Sequence, residues 1–154
     1  MLNALSIDFE EYYQGILTIP ESEYPSFAGR IESNTERLLC MMEAQKVRAT
    51  FFVSGHVAER YPSLVRQVAE QGHEIACHGY SHGLVHELSS ERFRDDLRRA
   101  LDLISVCADV NKVIGFRAPW WSLTREHQWA WEVLEGLNFR YDSSINPIRM
   151  RIYG

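Results

Sequence analysis

Short apolar runs alternate along this chain with longer stretches in which apolar residues recur every three or four positions. Residues 4–10 (Ala-Leu-Ser-Ile-Asp-Phe-Glu) are short, partly β-branched and end in acids, which predicts a first strand. Residues 49–54 are nearly all apolar, as a strand covered on both faces should be. Further strands are predicted at 73–77, 113–117 and 139–142. Helical spacing places a helix from a cap near Ser33 and Asn34 to about Gln45, with Leu38, Leu39 and Met42 inward. A second is predicted over 57–71, with Val57, Leu64, Val65 and Val68 inward and Gly72 as its stop. Ser89 or Ser90 caps a long third helix striped by Phe93, Leu97, Leu101 and Ile104, and a fourth spans about 125–137. Residues 12–28 lack periodicity and read as a long loop carrying aromatics, the kind of segment that tends to be functional. Strands alternating with helices imply βαβ units, a parallel sheet and an α/β class.

In such folds, functional residues collect at the C-terminal ends of the strands. Here those ends carry Asp8 and Glu10, His78 and His82, Arg117, and Asp142. Asp8 and Glu10 are separated by one residue, so on a strand they share a face, where two carboxylates repel unless a cation sits with them. His78 and His82 follow a short apolar run. One helical turn after the strand would point both rings the same way and let them share an ion. Two imidazoles and a carboxylate with an open position form the ligand pattern of a catalytic zinc site. The other carboxylate is then free to take a proton from metal-activated water, and Arg117 could pair with it to keep it ionised.

Composition narrows the reading. The 154 residues, 45% hydrophobic and 24% charged, suit one domain with a sizeable core. A net charge of -5 with interspersed signs argues against nucleic acid or anionic membrane as partners. No apolar run reaches a membrane span, and no signal peptide is visible, so the cytoplasm is the expected compartment. Cys40, Cys77 and Cys107 are widely spaced and form no Cys-x-x-Cys, which favours small buried thiols.

The motifs Ser6-Ile7-Asp8-Phe9-Glu10, Thr50-Phe51-Phe52, Gly72-His73-Glu74-Ile75 with His78-x-x-x-His82, Arg117-Ala118-Pro119-Trp120 and Tyr141-Asp142-Ser143-Ser144 together resemble the polysaccharide deacetylases (NodB homology, carbohydrate esterase family 4). The match resembles most the subgroup associated with exopolysaccharide and exosortase gene clusters. The resemblance implies a divalent metal, zinc first, held by His78, His82 and Glu10, the last in place of the family's aspartate. It implies Asp8 as catalytic base, Arg117 orienting Asp8, and the Trp120 backbone N–H helping to hold the oxyanion. The implied reaction is hydrolysis of N-acetyl groups on N-acetylhexosamine units of a bacterial polysaccharide, with metal-bound water attacking the acetyl carbonyl. Related enzymes protonate the leaving amine with a late Leu-x-His histidine, positioned by an aspartate that Asp142 resembles. That histidine is absent from this sequence, and five strands do not close the family's distorted (β/α)7 barrel. The expectation is therefore a single deacetylase domain over 1–154, an incomplete barrel lacking its final strands. Two alternatives stand: a hydrolase of a non-sugar C–N bond on the same fold, and a non-catalytic metal- or glycan-binding module.

Blander readings accompany several residues. His86 continues the histidine spacing but is expected to have turned away, His56 to line the cleft or cap a helix, His73 to be structural and His127 to be exposed. One of Trp120 and Trp121 is expected in the core. The other, with Tyr80 and Tyr12 or Tyr13, would give a sugar ring an apolar face. Trp129 and Trp131 lie two apart in the fourth helix, so at least one is core. Asp142 is either a turn former or a cleft residue. The run Arg92, Arg94, Arg98 and Arg99, interleaved with acids, reads as a solvated helix face.

Overall fold

The computed structural model describes residues 3–16 and 19–145. Five parallel strands form one sheet in sequence order, β1 (Ser6–Phe9), β2 (Thr50–Val53), β3 (Glu74–Cys77), β4 (Gly115–Phe116) and β5 (Tyr141–Asp142). Five α-helices connect or flank them: α1 (Ile31–Ala44), α2 (Gly55–Arg60), α3 (Pro62–Glu70), α4 (Ser90–Ser105) and α5 (Gln128–Gly136). The α/β class and five parallel strands are as the alternating pattern implied. The observed sheet is open, with β1 and β5 at its edges, as in an incomplete (β/α)7-type barrel.

Burial follows the sequence pattern. Phe51, Phe52 and Val53 of β2 are all buried, so both faces of the central sheet are covered. Phe93, Leu97, Ala100 and Ile104 turn the inner face of α4 onto that core, while Leu101 is only partly buried. Ser89 caps α4 by accepting from the Arg92 N–H. Trp129 and Trp131 are both partly buried against the core, Trp129 edge-on to Phe93. Cys77 and Cys107 are buried free thiols, while Cys40 is exposed.

Several element boundaries differ from expectation. The helix expected over 57–71 is two helices, because Pro62 disfavours helical backbone at Tyr61, which sits at φ -130 and ψ 54. Helix α1 begins at Ile31, ahead of the expected Ser33–Asn34 cap, since the distant Glu11 carboxylate accepts from the Arg30 and Ile31 N–H groups. The 113–117 strand shrinks to two residues because Val113 closes a 3-10 turn, its N–H donating to the Val110 carbonyl. Within the 12–28 loop, Glu21–Ser26 forms a 3-10 helix. Among the described residues, no helix is long and apolar enough to cross a membrane.

Candidate functional site

Strand register assembles the site. Phe9, Val53, Cys77, Phe116 and Asp142 lie level across the sheet. The next residue of each strand except the first donates its backbone N–H to the neighbour: Ser54 to Phe9, His78 to Val53, Arg117 to Cys77 and Ser143 to Phe116. Glu10, Ser54, His78, Arg117 and Ser143 thus form a rim along the C-terminal edge. Side chains far apart in sequence become neighbours there because the ladder sets their height.

The His78–His82 segment is a loop, not the expected helical turn. Gly79 (φ 74) and His82 (φ 56) take left-handed backbone, which a helix excludes. The Asp96 carboxylate, from α4, stabilises the loop by accepting from the Tyr80 and Ser81 N–H groups at 2.7 and 2.9 Å. A Cβ on Gly79 would lie 3.0 Å from Asp96 Oδ2, so the tight turn needs glycine there. The two rings still converge, 5.2 Å apart and both buried.

Glu10 Oε2 lies 3.6 Å from His78 Nε2 and in contact with His82 Nε2. The ligand atoms of Glu10, His78 and His82 all lie within 4.8 Å of one another. His78 Nδ1 is 2.7 Å from the Arg117 carbonyl, which only accepts, so Nδ1 carries a proton and Nε2 is the ring atom left to serve as a ligand beside Glu10. Glu10 Oε2 is buried and meets no donor in hydrogen-bond geometry. A buried carboxylate oxygen without a hydrogen-bond donor, beside two imidazole nitrogens, is costly unless a cation sits among them. The residues fit a divalent ion.

Asp8 and Arg117 also meet as expected. Arg117 Nη1 donates to Asp8 Oδ1 at 2.7 Å, and Nη2 donates to Ser6 Oγ and Ser143 Oγ at 2.9 and 2.8 Å. The guanidinium lies 4.1 Å from the Phe52 ring centroid, a contact that sequence spacing did not reveal. Ser6, Ser143 and Asp96 were likewise missed. Ser6 and Ser143 stand inside quoted motifs without a role read from them, and Asp96 lies in none.

Other candidates are placed differently. Tyr80 offers no face to a sugar, because His56 stacks on it at 4.7 Å and the Arg99 guanidinium lies 3.5 Å from its centroid. Its hydroxyl donates to Glu59. Arg99 makes that ring contact while staying on the exposed face of α4. Tyr13 is buried and Tyr12 exposed. Trp120 and Trp121 are both half-buried rather than one in the core, and the Trp120 ring lies 6.1 Å from that of His82. Asp142 holds a local turn: its carboxylate accepts from the Ser144 N–H at 3.0 Å and from the Ser144 hydroxyl. That hydroxyl in turn accepts from the Ala118 N–H ahead of Pro119. Burial pushes the Asp142 carboxyl above its ordinary range. His73 is structural, accepting from the Ala49 N–H. His127 is half-buried rather than exposed, stacked on His86, and both lie apart from the Glu10 cluster.

The sequence profile described as polysaccharide deacetylase matches residues 21–141. The peptidoglycan deacetylase of Helicobacter pylori is 29% identical over 119 residues, 77% of this chain and 39% of that protein. A solved Mycobacterium smegmatis structure assigned as a polysaccharide deacetylase is 29% identical with a TM-score of 0.78, covering 92% of this chain and 50% of that one. A carbohydrate esterase family 4 pseudoenzyme of Bacillus anthracis, 19% identical, shares the fold with a TM-score of 0.65 over 90% of this chain and 41% of its own. The chain thus spans about two fifths to half the length of these relatives. With a family profile matching most of its length, and the histidine loop and the Arg117 turn inside the matched stretch, the chain belongs to the polysaccharide deacetylase family.

Proposed function

We propose that this chain carries the metal site and catalytic base of an N-deacetylase acting on N-acetylhexosamine units of a bacterial polysaccharide. The observation that carries the reading is one arrangement: Glu10, His78 and His82 converge while Asp8, two positions before Glu10, is pinned by Arg117. Glu10, His78 and His82 would hold a divalent ion, zinc being well suited to such ligands. Bound there, the ion supplies Lewis acidity toward the acetyl carbonyl and the attacking water.

The chain's own residues account for the rest. Arg117 occupies Asp8 Oδ1, which leaves Oδ2 to take a proton from the attacking water. The Arg117 carbonyl fixes the His78 tautomer, so the base and a ligand are oriented by one residue. The Trp120 N–H, in a turn beside His82, is assigned to the developing oxyanion.

A second reading rests on where the histidines lie. Besides His78 and His82, His56 pairs with Glu21, His73 lies under β2, and His86 stacks on His127. Among the described residues none stands ready to protonate a leaving amine, which favours a module that binds metal and glycan without turnover. Acetate release from N-acetylglucosamine oligomers, measured alongside bound metal, separates the two. Under the deacetylase reading, acetate release falls by about 100-fold or more in Asp8→Asn, with one metal per chain retained. A metal-loaded protein that releases no acetate from these oligomers or from peptidoglycan supports the binding module instead.

A further inference from the structure

A cavity of about 570 Å3 opens between residues 11–14, residues 21–25 and α2, within the usual range for a small-ligand site. Tyr13, Tyr24 and Tyr61 give it apolar walls. Three carboxylates line it against one guanidinium, and most of these groups are already engaged. Glu11 caps α1 and accepts from the Tyr61 hydroxyl. Glu59 accepts from the Tyr80 hydroxyl, and Arg60 donates to that of Tyr13.

Glu21 and His56 pair loosely with each other. Glu21 Oε1 is 3.0 Å from His56 Nε2, a buried nitrogen that makes no well-directed hydrogen bond. The His56 ring is held in place by stacking on Tyr80 and an edge contact with Tyr24. A carboxylate at the mouth and a fixed imidazole nitrogen therefore face a space walled by tyrosines. Glu11 lines this cavity and also the cleft that holds Asp8 and Glu10, so the two adjoin.

We propose that this cavity is a second glycan subsite that takes a neighbouring hexosamine whose amine is already free, its ammonium donating to Glu21. The sugar's apolar face suits the tyrosine walls. An ammonium brings three donors and a charge to an acid-lined wall, whereas an acetamide sets an uncharged methyl against it. The inference rests on the deacetylase reading for its ligand class. It implies preferential action next to a unit already deacetylated, so that free amines accumulate in runs.

The test is calorimetric titration of the zinc-loaded protein, at neutral pH, with two probes: the glucosamine tetramer and the N-acetylglucosamine tetramer. Wild type should bind the free-amine tetramer about fivefold more tightly than the acetylated one. Glu21→Gln should erase that preference, leaving metal content and binding of the acetylated tetramer unchanged. Equal binding of both probes by wild type, or an undiminished preference in Glu21→Gln, overturns the proposal. Binding is read without turnover, so absent acetate release would count against the deacetylase reading alone and leave the subsite to be decided by the titration.

Discussion

The Arg117 guanidinium donates to Asp8, Ser6 and Ser143 and lies over Phe52, while its carbonyl accepts from His78 Nδ1. The planar fork reaches three partners on two strand ends at once, which a lysine ammonium on a flexible stem cannot do. Because the His78 contact is made by main chain, the two functions of the residue separate on substitution. Arg117→Lys should lower the rate of acetate release by about 10- to 100-fold while leaving metal stoichiometry near wild type. A lysine variant of full activity would show that Asp8 needs no such clamp. The carboxylates, histidines and arginine were legible at this scale because their residue types are unusual at strand ends. The serines were not, since a hydroxyl becomes a partner only when something is set beside it.

Helix α1 shows how an element boundary can be decided from elsewhere in the chain. Ser33 and Asn34 are good caps by type, yet the helix starts at Ile31, because the buried Glu11 carboxylate supplies the acceptor from beyond the end of β1. This ties the segment after Asp8 and Glu10 to the first helix. Glu11→Ala leaves the Arg30 and Ile31 N–H groups and the Tyr61 hydroxyl without this partner. It should cost about 2 kcal/mol, seen as a lower urea midpoint with an unchanged slope. A midpoint within error of wild type would argue that water replaces the cap at no cost. The Tyr61–Pro62 break has the opposite character, since the proline that causes it is visible in the sequence and its effect is local.

Across the whole molecule, one polar chain ties the sheet together at the edge opposite the site. The Tyr141 hydroxyl donates to Glu74 Oε1 at 2.8 Å, and Thr50 donates to Glu74 Oε2 at 2.5 Å, linking β5, β3 and β2. The tyrosine ring passes so close over Gly115 of β4 that a Cβ there would sit 2.1 Å from it, so only glycine fits. Burial, then the Glu74 carboxylate, push the Tyr141 phenol above its ordinary value of 10.0. A raised folded-state pKa means the fold favours the protonated phenol. That stability is fully present below about pH 10 and is lost as pH rises above it. Urea midpoints should therefore fall more steeply above pH 10 in wild type than in Tyr141→Phe, and equal slopes would remove this phenol from the alkaline response. By itself, the sequence determined the alternation of strands and helices, the buried stripes and the identity of the chemical groups at the strand ends, because each follows from local periodicity and residue type. Only the tertiary structure decided which of those groups meet. The ladder brings Glu10 level with His78, a loop closed by Asp96 from α4 turns His82 inward, and Tyr80, a promising sugar platform by type, is covered on both faces by His56 and Arg99. Contacts between residues distant in the chain depend on register and packing, and no local pattern encodes them.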